Sequence, residues 1–270
     1  MFNVAFPPLP SELIYKICEF AGGENLQTAR SIALVSKSLQ RVIDPIIYAE
    51  YSIASYGDYR RFFSTLRNSR IVGRHPASTH VRTLYVEFVY AKIDEVVRAC
   101  VQLERLAIYV WFSPMNLDLP LPAPREICIL CDTIVVDLRS PLFRAVTHLN
   151  VGRATPSLDD LDAIFTFRHL THLGFHCRDG VETATVDDAA ELVERLLRWP
   201  QLKVLCVEVS KGNALPDNNK TSSVWSRLST FRDNRLHVIP ALLEGTLEER
   251  RQCFINGPTI WHRLRQDDIS

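Results

Sequence analysis

The stretch Leu170-Thr171-His172-Leu173-Gly174-Phe175 sets the pattern for most of this chain, because its spacing of apolar residues recurs on both sides of it. Val146-Thr147-His148-Leu149-Asn150-Val151 precedes it, and Leu202-Lys203-Val204-Leu205-Cys206-Val207 follows it. Upstream lie Val81-Arg82-Thr83-Leu84-Tyr85-Val86, Leu103-Glu104-Arg105-Leu106-Ala107-Ile108 and Arg125-Glu126-Ile127-Cys128-Ile129. The central apolar residues stand 22, 21, 22, 24 and 32 positions apart. Short alternating runs at such a period mark stacked repeat units, each too small to bury its own apolar face.

The segments between the runs have helical periodicity. The strongest begins near Thr185, with Asp187 and Asp188 in its first turn and Ala189, Leu192, Val193, Leu196 and Leu197 on one face. Arg195 and Arg198 follow in its last turn, and Pro200 stops it. Shorter helices are expected at Lys92–Cys100 and Leu158–Phe167. A further strand is expected at Tyr51–Ile53, followed by a helix through Tyr59–Leu66, and another strand near Leu236–Ile239. Strand, helix, strand with parallel strands gives an α/β fold. Lys211 to Ser223 reads as a surface loop. Beyond Thr246 the chain reads as helical, with Leu247, Phe254, Ile260, Trp261 and Leu264 available to cap the end of the stack, and Gly257-Pro258 dividing the segment.

The first fifty residues differ in character. Pro7, Pro8 and Pro10 precede a helix that Ser11 is placed to cap. Leu13, Ile14, Ile17, Phe20 and Ala21 share one face, and Gly22 and Gly23 are expected to end the helix. A second helix is expected from about Asn25 to Val35, with Leu26, Ala29, Ile32 and Ala33 inward. Ser36 marks a break, and a third helix carries Leu39, Val42 and Ile43, with Pro45 near its end. Three short helices make a core that gains from packing on something larger.

These residues resemble an F-box. Leu9-Pro10-Ser11-Glu12-Leu13-Ile14 through Ile17 is similar to its opening, Leu34-Val35-Ser36-Lys37 to its centre in the fungal form, and Pro45-Ile46-Ile47-Tyr48 to its close. Gly22-Gly23-Glu24-Asn25 departs from the family's usual first loop. The resemblance implies docking on a Skp-type adaptor, through Leu9, Pro10, Leu13, Ile14, Ile17, Leu34 and Val35. On residues alone, the same helices could simply cap the open end of the repeat stack. Residues 50–240 resemble a degenerate leucine-rich-repeat array. The family's turn asparagine would fall at Val89, Trp111, Asp132, Ala154, Arg178 and Ser210, and none is Asn, so an irregular, short arc is expected. The chain thus divides into an F-box over 1–50 and a leucine-rich-repeat-like α/β solenoid with an irregular C-terminal cap over 51–270.

Alternation along the strands places Tyr85, Glu87, Arg105, Tyr109, Glu126, His148, Asn150, His172 and His176 on one face, the candidate surface for a protein target. The alternative is that the C-terminal segment covers part of this face, since Leu130, Val204 and Cys206 are too apolar to stand in water. His148 and His172 share a repeat position, but two histidines make no metal site without further ligands. Cys128 and Cys131 have CxxC spacing inside a strand pattern, where the tight turn that zinc needs is missing. Neither a metal nor a cofactor is expected.

The 270 residues carry 31 Lys+Arg against 31 Asp+Glu, so no basic excess points to nucleic acid. Seven cysteines, mostly among aliphatic residues, fit free thiols in a reducing compartment, cytoplasmic or nuclear. The N-terminus lacks a basic leader, and no apolar run approaches the roughly 20 residues that span a bilayer, so no membrane partner is expected. No phosphate-binding loop, dinucleotide fingerprint, nucleophile elbow or HExxH is present. The expected role is a non-enzymatic substrate adaptor of an SCF-type ubiquitin ligase, or else a repeat-based interaction module.

Overall fold

The computed structural model describes residues 9–68, 77–87, 93–108, 122–129, 138–152, 156, 158–179, 185–211, 222–241, 254, 260, 261 and 264. The chain is an α/β protein: three helices packed together, then an eight-stranded, all-parallel sheet with interleaved helices.

Helix α1 spans Ser11–Glu24, α2 Leu26–Ala33 and α3 Lys37–Ile47. Pro10, not Ser11, holds the N-cap position of α1, and its carbonyl accepts from the amides of Leu13 and Ile14. Gly22 and Gly23 do not end this helix. Gly22 is buried within it, where a Cβ would stand 3.2 Å from Ile43 Cδ1 and 3.4 Å from Ala29 Cβ. The missing side chain lets three backbones approach closely, so this glycine serves packing rather than capping. Asn25 breaks the helix with an extended backbone, and its Oδ1 accepts from Gln27 N at 2.8 Å and Thr28 N at 3.2 Å, which starts α2. Ser36 does the same for α3, accepting from Leu39 N at 3.1 Å. Pro45 lies inside the last turn of α3, where it removes one intrahelical donor without stopping the helix.

The strands are β1 Glu50–Ile53, β2 Thr83–Val86, β3 Arg105–Ile108, β4 Glu126–Ile129, β5 His148–Asn150, β6 His172–Asp179, β7 Val204–Lys211 and β8 Leu236–Pro240. They pair in sequence order, each parallel to its neighbours. The register aligns one row across the whole sheet: Tyr51, Leu84, Leu106, Ile127, Leu149, Leu173, Leu205 and Leu236. Helices α4 Tyr56–Asn68, α5 Ile93–Ala99, α6 Leu158–Ile164, α7 Val186–Leu197 and α8 Ser223–Leu228 interleave with them, along with 3-10 turns at Ala77–His80 and Pro141–Phe143. Six of the row's residues, Leu84 to Leu205, are fully buried in one core with Phe62, Val96, Leu142, Phe143, Leu161, Val193 and Leu196. Residues Arg178 and Ser210, the two described positions of the expected repeat turn, instead pair within β6 and β7. These strands run eight residues where the others run three to five, so the array is irregular.

Helix α7 is fixed at both ends. Thr185 and Asp188 form a capping box, each side chain accepting from the other's backbone amide. At its C-terminal end the Arg235 guanidinium donates to the carbonyls of Leu197, Trp199 and Leu202, while Asp233 holds its other edge. The short helix α8, started by Ser222 Oγ accepting from Trp225 N at 2.8 Å, has no counterpart in the sequence reading.

Two measurements check this account. Leu149→Ala opens a cavity in the middle of the row and is expected to lower unfolding free energy by about 2–5 kcal/mol in urea titration. Hydrogen bonds from the Thr185 backbone and side chain hold Asp188 below its ordinary carboxylate value. Its contribution is present above the unfolded-state value and is lost as pH falls through the folded one. Asp188→Asn is therefore expected to flatten the acid limb of the stability–pH curve below about pH 4, measured by thermal melts.

Candidate interaction surfaces

Two surfaces have the chemistry of recognition, and they differ in character. The first lies on α1 and α2. Among the described residues, eight of the ten exposed large apolar side chains fall between Leu9 and Val35. Leu9, Leu13, Ile14, Ile17, Phe20, Leu26, Leu34 and Val35 make up this set, with Leu34 at 88% and Val35 at 73%. Pro10 is exposed as well. Every one of the seven residues singled out for adaptor contact is thus at the surface. Their exposure follows from helix length and the small residues at the centre. The bundle closes around Gly22, Ala29 and Ile43, and that core is too small to cover the outer face of α1. Leu26 was expected to face inward and does not. Ala29 takes the inner position, with Ile32 and Ala33 half-buried. The bundle meets the rest of the chain through α3, which packs against the 3-10 turn Ala77–His80.

The second surface is the sheet face opposite the main core. Here the expected open surface is covered. Tyr85, Ala107 and Cys128 are buried in a cluster with Phe254, and Cys206 in another with Trp261 and Leu264. Tyr85 is fully buried, and Glu87 and Asn150 nearly so. Arg105, Glu126, His148, His172 and His176 are half-buried, and Tyr109 lies outside the described residues. Phe254, Trp261 and Leu264 therefore lie across the sheet, not over the end of the stack. A parallel sheet needs both faces shielded, and these side chains supply the second shield.

The covered face is polar in places. Arg105 and Glu126 occupy paired positions on β3 and β4 and form an ion pair at 3.1 Å. Arg105 also donates to the Phe254 carbonyl at 2.8 Å, and its guanidinium lies 4.7 Å from the Phe254 ring centre. Burial raises the Glu50 carboxyl, and the charge of Arg105 partly offsets this. His148 and His172 stack at 4.0 Å on neighbouring strands, with the Trp261 ring edge-on to both at 5.6 and 5.5 Å. Thr147 and Thr171 hydroxyls contact the two Nδ1 atoms at 2.8 Å, while donating to the carbonyls of Arg125 and Thr147. A hydroxyl has one proton, so once it is given to the carbonyl each imidazole must donate from Nδ1. Among the described residues no group of three His, Cys, Asp or Glu side chains is disposed to hold a metal ion. Cys128 is buried on its strand, and Cys131 lies outside the described residues. Burial raises the Cys206 thiol well above its ordinary value, with the charge of Glu208 adding to it.

Gly174 makes room for this cover. A Cβ there would stand 3.2 Å from the Trp261 ring and 3.4 Å from Asn150, and a glycine inside a strand marks such a close approach. No helix among the described residues is long and apolar enough to cross a membrane.

The chain matches no protein-family model, no curated protein and no solved structure at a significant level.

The exposure of α2's end has a direct test. A Leu34→Asp/Val35→Asp double variant is expected to keep its melting temperature within about 2 °C of the parent, because such surface positions carry little folding energy. A larger drop in a thermal melt would mean that these side chains are packed in solution.

Proposed function

We propose that this chain is an F-box-type substrate adaptor of an SCF (Skp–cullin–F-box) ubiquitin ligase, with a degenerate leucine-rich-repeat-like solenoid as its target-recognition domain. The observation that supports this most is the collection of exposed apolar side chains on α1 and α2. Fully burying one Leu, Ile or Val is worth about 1.5–3 kcal/mol, so a folded chain that leaves eight large apolar residues outside suits burial against another protein. The seven residues singled out by the resemblance belong to that same surface. The consecutive parallel strand order at a period of twenty-odd residues supports the repeat reading.

In this role the chain transfers nothing itself. The helices hold the ligase through a Skp-type adaptor, the sheet domain holds a protein target, and proximity raises the effective concentration of the target's lysines at the charged conjugating enzyme. Balanced charge gives no reason to invoke nucleic acid. A second reading, a repeat-based interaction module whose helices only cap the stack, is favoured by the packing of α3 on the turn Ala77–His80. That packing is made by α3 and leaves Ile14 and Ile17 of α1 exposed, so capping does not account for the exposed set.

Co-expression with a Skp-type adaptor decides between them. A one-to-one complex is expected, reduced at least ten-fold by Leu9→Ala/Pro10→Ala/Ile14→Ala with the melting temperature kept. A well-folded chain that forms no complex would sink the adaptor reading.

A further inference from the structure

We infer that the sheet face carrying Arg105, Glu126, His148, His172, Gly174 and Cys206 is a peptide-binding surface whose resident ligand is the chain's own C-terminal segment. The inference stands apart from the adaptor reading, since it concerns the other surface and would hold for any function of α1–α3.

Three observations carry it. First, the two faces of the sheet differ in chemistry. The face toward the helices is uniformly apolar, with Leu84, Leu106, Ile127, Leu149, Leu173 and Leu205 in one continuous core. The other face holds an ion pair, a stacked histidine pair and buried Glu208 beside two small, separate apolar clusters. Apolar patches among polar groups are the anatomy of an interface, not of a domain core. Second, the anchors are side-chain seats of a kind that recognise a peptide. Phe254 lies against Tyr85 and under the Arg105 guanidinium, and Trp261 fills the space left by Gly174 with its ring on the two imidazoles. Aromatic anchors in such seats dominate peptide recognition. Third, Arg105 donates to the backbone carbonyl of Phe254, a group that any peptide offers. Phe254, Trp261 and Leu264 are the buried anchors, seven and three positions apart in the sequence. The ligand that suits this surface is therefore a peptide with two aromatic anchors seven positions apart and an aliphatic residue three positions further on. In the resting chain Phe254, Trp261 and Leu264 take that place, and a target of the same pattern would have to displace them.

The chain's own cysteines report whether this cover comes off. Cys206 is buried under Trp261 and Leu264, whereas Cys100 and Cys177 are buried in the main core. The full-length protein is treated with excess iodoacetamide in native buffer, and each cysteine is followed by peptide mass spectrometry. The expected result is modification of Cys206 at least ten-fold faster than Cys100 and Cys177. A Phe254→Ala/Trp261→Ala variant should label faster still at Cys206, and a synthetic peptide of residues 250–270 added in trans should slow it while a scrambled peptide does not. A single common rate for all three thiols in the parent protein would overturn the inference, because the cover would then open only with global unfolding. So would a folded variant whose Cys206 the peptide fails to protect. If the variant does not fold, the order of labelling in the parent still decides.

Discussion

The register of eight parallel strands is the constraint on which the rest of this molecule depends. Side chains alternate with period two, so a slip of one residue would exchange the two faces along an entire strand. The row from Leu84 to Leu205 prevents this, because every member must lie in the helix-side core at once. With that row fixed, its neighbours are also fixed: Arg105 meets Glu126, His148 meets His172, and Tyr85, Ala107 and Cys128 line up beneath one aromatic ring. The composition of the second face is thus a consequence of the first. Its polar pairs exist as pairs only because the leucines beside them are in step.

This dependence explains what was readable from the residues. Central strands show alternation whose inward row is unambiguous, so all eight strand positions were legible, and with them the row that pairs His148 with His172. Helix α7 was legible because its signals agree: a capping Thr185, acidic Asp187 and Asp188, an apolar face and a terminating Pro200. Where signals conflict, long-range packing decided. Gly22 carries the local mark of a helix end, yet it lies inside α1 because Ile43 and Ala29 need its missing side chain. Arg235 reaches back 38 residues to the end of α7, a link no local pattern reveals. The position of Phe254 and Trp261 was legible in kind but not in place. Their apolar character called for burial, either over the end of the stack or across the sheet, and the contacts with Arg105 and Gly174 decide for the sheet.

The candidate sites divide in the same way. Exposure on α1 and α2 follows from a bundle whose centre holds a glycine, an alanine and a single isoleucine. So small a core leaves the outer apolar side chains exposed among the described residues. The sheet face has the opposite history. Its residues read as a recognition surface because they alternate with the core row, and in the structure much of that face is covered. Sequence offered the C-terminal segment as a cover of this face or as a cap on the end of the stack, and three anchoring side chains spread over eleven residues look the same in either place.

Both surfaces then pose one energetic question, answered differently. A chain with no formal net charge has little electrostatic repulsion to hold copies apart. Exposed apolar area on such a chain favours association. On the sheet, the chain meets this demand internally by spending its C-terminal aromatics as a cover. On the helices no segment among the described residues does the same, although Leu34 and Val35 are as apolar as anything beneath Trp261. The asymmetry is informative. Among the described residues one face is covered by Phe254, Trp261 and Leu264 and the other is left exposed, and the proposed adaptor role rests on that difference.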